Sequence, residues 1–285
     1  MLATILDGIV DGLQLGLLGI GLSLLYGLGG VLNLAHGAIG VGAAMIISNA
    51  MGAGWPVGVA AAVGIAAAGL FGVLMDRSIM RWVYAAEGEH RVLLSLLLTL
   101  GTAFAIDGLI GWRYPNKALS VRIGGGSIDL LGVPMRAGSI YAAGIAVVCL
   151  AVIIYVLRRT SVGRAVRSII QDEEGAKLVG VNPAAMRTAI FAVGTALAGL
   201  VAVTTSMTSP VTVNSGFDFT IEALIVTVVG GLGSASGALL AGILLGIVNA
   251  LSSFYIGAYI TSIILLAAAG LTILLKPSGL MGRAA

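Results

Sequence analysis

FTIEALIVTVVGGLGSASGALLAGILLGIVNALS, residues 219–252, is the stretch on which the fold turns. A helix needs about 20 mostly apolar residues to cross the bilayer core. This run is too long for one plain span, and its middle reads Gly230-Gly231-Leu232-Gly233-Ser234-Ala235-Ser236-Gly237. The first piece, 219–230, is short for a bilayer. Irregular backbone at membrane depth has to line a cavity or be buried in protein, and short, glycine-interrupted helices mark transport sites. The glycine run lacks the Gly-Lys-Ser/Thr ending of a phosphate loop, and nothing suggests a strand before it, so no ATP site is expected in this chain.

Around this run the composition demands lipid. Only 9% of the 285 residues are charged and the mean hydropathy is +1.10, whereas a soluble domain carries about 25% charged residues. A chain so poor in charge cannot cover a water-facing surface, so apolar side chains must face hydrocarbon. The 43 glycines suit that solvent, because helices in lipid associate through the close packing that small residues allow. Gly8, Gly12 and Gly16 keep the small-xxx-small spacing, as do Gly233 with Gly237 and Gly242 with Gly246. Further spans fall at roughly 5–26, 31–51, 56–75, 92–112, 138–157, 188–208 and 256–275, with a polar stretch at 158–187. Asp7 and Asp11 interrupt the first run and no basic region precedes it, so it reads as a retained helix, not a signal peptide.

Lysine and arginine favour the cytoplasmic side of a membrane. Arg77, Arg81, Arg91, Arg158, Arg159, Arg164, Arg167, Lys177, Arg187, Lys276 and Arg283 fall on one side, eleven against four (Arg113, Lys117, Arg122 and Arg136) on the other. The bias assigns 76–91, 158–187 and the C-terminus to the cytoplasm, and 113–137 and 209–218 to the outside. The chain is then outside before residue 219 and inside at Lys276, which requires an odd number of crossings between them. One long helix plus the last span gives two, so 219–252 must break. The expected fold is all-α: a polytopic transmembrane helical bundle, one domain over 1–285. It has about eight to nine crossings, an outside N-terminus and a broken or re-entrant helix near Gly230–Gly237.

Polar groups inside a membrane are costly and are functional candidates. If 31–51 is helical, Asn33, His36, Gly37 and Gly40 fall on one narrow polar face at i, i+3, i+4 and i+7. That face reads either as the lining of a path for a polar solute or as an interhelical hydrogen-bond cluster. Glu222 and Asp218 sit at the outer start of the seventh region, where the helix dipole favours carboxylates as caps; Glu222 could instead receive a solute ammonium. The candidate path residues are thus Asn33, His36, Gly37, Gly40 and Glu222, with Gly230, Gly231, Gly233 and Ser234 at the break. Asp107 lies near the outer end of the fourth span. His36 and His90 are far apart in sequence and no metal-ligand spacing exists, so no metal site is expected. No serine–histidine–acid set or paired carboxylates with a general base emerge, so enzymatic activity is not expected. The net charge of +3 is spread over separate loops and gives no nucleic-acid signal. Cys149 is the only cysteine, which excludes a disulfide within the chain and fits a small packing residue.

The polar stretch 158–187 is long but not loop-like. Arg164 to Val179 reads as a helix with Val166, Ile169, Ile170 and Leu178 as its apolar positions, bracketed by Gly163 and Gly180, and Asn182-Pro183 starts the next element. An amphipathic helix there can lie on lipid or dock in a groove of a partner. Arg164 and Arg167 are mixed with Asp172, Glu173 and Glu174, a mixture that favours a protein partner over anionic lipid.

These residues together resemble the LivH-type inner-membrane permeases of the branched-chain amino acid ABC importers. The resemblance rests on Tyr26-Gly27 with Asn33-Leu34-Ala35-His36-Gly37, and on Gly163-Arg164-Ala165 with Asp172, Leu178, Gly180 and Val181. It also rests on Gly216-Phe217 with Gly230-Gly231-Leu232-Gly233-Ser234 and Gly237-Ala238, and on Lys276-Pro277-Ser278-Gly279-Leu280-Met281-Gly282. Order and spacing carry the match from the first span to the C-terminus; Lys276 and Met281 depart from the family's usual arginine and phenylalanine. The resemblance implies a multi-pass subunit of the bacterial inner membrane that works with a second, related permease. Two cytoplasmic ATPases that bind the ATP, and a periplasmic or extracellular solute-binding protein, complete the assembly. It also implies that Gly163, Arg164, Arg167, Asp172, Glu173, Leu178 and Gly180 belong to the coupling helix seated in the ATPase groove. Related permeases serve urea, short amides and small carboxylates as well as amino acids, so the solute stays open at this point. A secondary transporter would need a charged relay at mid-membrane.

Overall fold

The computed structural model describes residues 1–121, 126–130 and 132–282; Arg122 and Arg283 of the charge comparison lie outside the described residues. The helices are α1 Leu2–Gly29, α2 His36–Gly52, α3 Val57–Tyr84, α4 Gly88–Arg113, α5 Ala137–Arg159, α6 Ser161–Gln171, α7 Glu173–Leu178, α8 Pro183–Thr205, α9 Ser215–Gly230, α10 Ala235–Tyr255 and α11 Ala258–Leu275. Among the described residues, α1, α3, α4, α5, α8 and α10 are long and apolar enough to cross a membrane. The bundle is helical apart from short strands, β1 Ala118–Leu119, β2 Ser127–Leu130, β3 Val133–Arg136 and β4 Val211–Thr212. They pair antiparallel as β1 with β4 and β2 with β3.

Helix α1 is the axis of the bundle. Its most apolar stretch is 83% buried, against 22% for α3 and α4 and 17% for α5, which leave their apolar flanks for lipid. Glycine makes this central position possible. A Cβ on Gly12 would lie 2.7 Å from the Ile243 Cα, and one on Gly8 2.9 Å from the Ile247 Cα. Gly242 and Gly246 present the same bare backbone in return, so α1 and α10 run antiparallel in near backbone contact.

The bundle has two chemically distinct ends. At one, Arg187 donates to the Leu28 carbonyl and Tyr84 packs on Gly29, so the basic segments gather around the end of α1. At the other, Ser48 donates to the Ala118 carbonyl at 3.2 Å, and Lys117 bonds Asn49. The 219–252 run breaks at its glycines. α9 starts beside β4 at the second end and finishes at Gly230 at the basic end. The break covers Gly231–Ser234, α10 returns, and α11 brings the chain back to Lys276. Ser234 caps α10 by accepting from the Gly237 N–H at 3.1 Å.

Three local features depart from the sequence expectations. First, the second span is not helical from residue 31. α1 stops at Gly30, in the left-handed region at φ +61, and 30–35 is non-helical before α2 begins. Its backbone is satisfied by α4: Leu32 N–H donates to Ser95 Oγ at 3.3 Å and Leu34 N–H to Thr99 Oγ1 at 3.0 Å. Second, α3 runs on from Met75 through a wide π-turn at Asp76–Met80, so 76–84 is helix, not loop. Third, the 164–179 helix breaks at Asp172, whose extended backbone ends α6 and begins α7.

Candidate functional site

Among the described residues a cavity opens toward each end of the bundle. The first, about 250 Å³, lies among α1, α8, α9 and α10 at the end opposite the basic one. Glu222 lines it, joined by Asp11, Gln14, Thr205, Asp218 and Asn249. Asp218 lies in the first turn of α9, where the dipole favours it, but Glu222 stands a turn deeper and is no cap. Gln14 is only 5% exposed; its Oε1 accepts from Thr205 Oγ1 at 2.6 Å.

The second cavity, about 770 Å³, lies at the basic end among α1, α5, α6 and α10. It brings together Gly233 and Ser234 from the break, Gly163 and Arg167 from the polar segment, and Gly27 from α1. Gly230 and Gly231 do not line it: Gly230 is pressed against Gly237 and Ala238 at the start of α10, and Gly231 against the C-terminal turn. Leu280 N–H donates to the Val229 carbonyl at 2.8 Å and Met281 N–H to Gly230 at 3.1 Å. Gly231 adopts φ +105, and a Cβ there would meet the Ser278 carbonyl at 2.6 Å, so only glycine fits. The two cavities share no lining residue.

The Asn33–Gly40 group sits away from both cavities. Asn33 lies before α2, so it is not on one helical face with His36; its Oδ1 instead accepts from the Ala35 N–H at 3.0 Å and fixes the turn into α2. Asn33 and His36 are both 0% exposed. The Gly37 N–H donates to Thr220 Oγ1 at 3.0 Å, and Gly40 packs where a Cβ would lie 2.8 Å from the Ala198 carbonyl. Both ring nitrogens of His36 and Asn33 Nδ2 are buried without a hydrogen-bond partner among the described residues. Asp107 is near this junction, its Oδ1 close to Gly216.

At the basic end the polar segment is wired into the helices. Val166 and Ile169 of α6 are buried, and Arg167 donates to the Leu157 carbonyl of α5. Gly163 is pressed against Leu157, where a Cβ would overlap its carbonyl. Glu173 pairs with Arg187 of α8, whose guanidinium lies 4.8 Å from the centroid of the Tyr84 ring. Tyr84 donates to Asp76 Oδ1 at 3.1 Å, and Thr188 donates to Asp76 Oδ2 at 2.5 Å. One polar chain therefore runs from α7 through α8 to the π-turn of α3. Lys177 bonds Glu174 at 2.6 Å, and that bond, with the Glu174 and Glu173 charges, raises the lysine above its ordinary pKa. Beyond this network Leu178 is 89% and Val179 77% exposed, while Arg164, Asp172 and Gly180 are also exposed.

The sequence reading missed Asp11, Gln14 and Asn249 at the first cavity and Asp76 in the network. Asp11 and Gln14 were legible in principle, since a carboxylate and an amide inside the first apolar run are costly unless used. Their meeting with Asn249 depends on the antiparallel glycine contact of α1 with α10, which no local pattern encodes. Cys149 is free and partly buried on α5.

Comparison with known proteins bears on this arrangement. A family model described as "Branched-chain amino acid transport system / permease component" matches residues 4–277. The chain is 24% identical over 290 residues to the high-affinity branched-chain amino acid transport system permease protein LivH of Salmonella typhimurium, covering 97% of this chain and 94% of that one. It is 26% identical over 299 residues to the corresponding BraD protein of Pseudomonas aeruginosa, covering 99% and 96%. A chain of PsaBC from Streptococcus pneumoniae, solved in complex with Fab, superposes with a TM-score of 0.52 at 11% identity, covering 95% of this chain and 91% of that one, a likeness of fold alone.

Proposed function

Because the chain belongs to the branched-chain amino acid transport system permease family, we propose that it is the membrane subunit of an ATP-driven importer for branched-chain or other small amino acids. Its place is the bacterial inner membrane, where it forms half of the translocation path. LivH and BraD, whose names carry that substrate class, support the solute. The basic end faces the cytoplasm, and α1–α5 with α8–α11 make nine crossings, α2 being completed by the non-helical 30–35. The Glu222 cavity faces outward, toward a solute-binding protein, and the Gly233–Ser234 cavity faces inward. The two cavities share no lining residue, and a second, related permease beside this chain completes the path.

The observation that carries this reading is the bare apolar tip at Leu178 and Val179, on a cytoplasmic segment locked into three helices. An apolar tip in a mixed-charge setting suits a groove on a protein, and two ATPases supplying the ATP sites are its partners. Closure of the ATPases on ATP moves α6 and α7, and the Glu173–Arg187–Tyr84–Asp76 chain carries the motion to α3 and α8. ATP shifts the equilibrium only as far as it binds one state more tightly.

The test is a mild-detergent pull-down of the tagged chain, with subunits identified by mass, followed by uptake of L-leucine in proteoliposomes. Recovery of a second permease and two ATPases, with uptake that needs ATP, is expected. Recovery of this chain alone, moving solute without ATP, would overturn the proposal in favour of a secondary transporter.

A further inference from the structure

One side of α3 is an exposed stripe that changes character along its length. Val63, Leu70 and Leu74 come first, and Arg77, Arg81 and Trp82 follow at helical spacing. Leu70, Leu74 and Trp82 are 61%, 58% and 63% exposed. The π-turn keeps this stripe free of acid. Met75 and Asp76 are both buried there, and the Asp76 carboxylate is taken by Tyr84 and Thr188. Among the described residues the ion pairs use only Lys177 and Arg187 as cations. Glu87 and Glu89 are exposed just beyond Tyr84 but pair with neither Arg77 nor Arg81. The Arg81 guanidinium lies 5.0 Å from the centroid of the Trp82 ring, so its N–H groups stay available.

Depth decides what these arginines meet. Residues Val57–Met75 are 19 without a charge, about 28 Å at 1.5 Å each, close to the roughly 30 Å of a bilayer core. Arg77 and Arg81 therefore emerge at headgroup level, where an exposed tryptophan also belongs. Trp55, 48% exposed, marks the opposite boundary of the same helix. Arginine matches phosphate with paired N–H donors, and basic groups on the cytoplasmic face attract anionic lipid. A water-soluble acidic partner would use the arginines alone. A lipid uses the arginines and the leucine stripe together.

We propose that the cytoplasmic end of α3 binds an anionic phospholipid. Arg77 and Arg81 hold its phosphate, its acyl chains lie along Leu74 and Leu70, and Trp82 packs at the junction of the two. The lipid is thereby seated one residue from Asp76, where the polar chain from Arg187 ends. This site stands on α3 crossing the membrane, and not on the identity of the solute or of the ATPases.

The experiment uses the full chain with Trp55→Phe and Trp112→Phe, which leaves Trp82 as its only tryptophan. The protein is placed in phosphatidylcholine nanodiscs containing phosphatidylglycerol or phosphatidylcholine brominated near the headgroup, at equal low mole fraction. Bromine quenches a tryptophan it touches. Trp82 is expected to be quenched at least threefold more by the phosphatidylglycerol. Arg77→Gln combined with Arg81→Gln should bring the two lipids level. Quenching by the brominated phosphatidylcholine should not change, which shows that the variant is still inserted. Arg158→Gln with Arg159→Gln, at the exposed end of α5, should leave the preference intact. Equal quenching by both lipids in the parent, or a preference that survives loss of Arg77 and Arg81, would overturn the site. So would a preference abolished by the α5 variant, since general surface charge would then explain it. In the pull-down described above, the Arg77 and Arg81 variant should recover the same partners as the wild type. Loss of a partner would overturn the lipid assignment and give the patch to that protein.

Discussion

Arg187 is the residue on which the basic end converges. It pairs with Glu173, donates to the Leu28 carbonyl at 3.2 Å and lies over Tyr84, so it touches the polar segment, α1 and α3 at once. With only 12% of its side chain exposed, this pair is shielded more than a surface salt bridge. Arg187→Gln keeps length and hydrogen-bonding capacity but removes the charge. Its expected effect is a roughly tenfold fall in L-leucine uptake per ATP hydrolysed, with the ATPase rate retained, corresponding to a coupling energy of about 1.4 kcal/mol. Parallel uptake and phosphate-release assays on the reconstituted importer check it, and an unchanged ratio would break the proposed link. The sequence marked Arg187 only as one basic residue of a cytoplasmic stretch. Its role depends on Tyr84 and Asp76, which the π-turn carries to it and whose wide register no local pattern announces.

Among elements, the contact of α1 with α10 sets the packing. The spacing of Gly8, Gly12 and Gly16 was readable as a close-packing face, and so was that of Gly242 and Gly246. That the two faces meet each other was not, because a glycine face names no partner. The effect of a methyl group therefore depends on position. Gly12→Ala would push a Cβ to 2.7 Å from the Ile243 Cα and 2.8 Å from the Gly242 carbonyl. Overpacking of that kind costs about 1–3 kcal/mol, seen as a lower melting temperature of the purified protein. Gly101→Ala, on α4 with nothing within 4 Å, should leave the melting temperature level or slightly higher. Equal destabilisation by both would show that the contact does not set the packing. The break of the 219–252 run was legible because charge bias and span length together left one parity. The non-helical 30–35 was not, because its apolar residues look like any span and its backbone partners, Ser95 and Thr99, come from α4.

For the whole molecule, the last described residues close what the break opens. Gly279, at φ +75, packs against Gly231, and Leu280 and Met281 hydrogen-bond back to α9. Gly279→Ala would place a Cβ on the Gly231 backbone and also force alanine into a left-handed conformation worth roughly 1–2 kcal/mol. Faster cleavage of the 276–282 turn by proteinase K and a drop in melting temperature are expected, and wild-type behaviour in both would show the turn to be a passive tail. The α1–α10 contact also has a bearing on how the protein is made. α1 leaves the ribosome before α10, and Ala235, where its glycine-bearing partner begins, follows Gly29 by 206 residues. At about 5–20 residues per second, α1 waits roughly 10–40 s with its notched face and Asp11 uncovered. During that interval the insertion machinery, and not the finished bundle, has to shelter it.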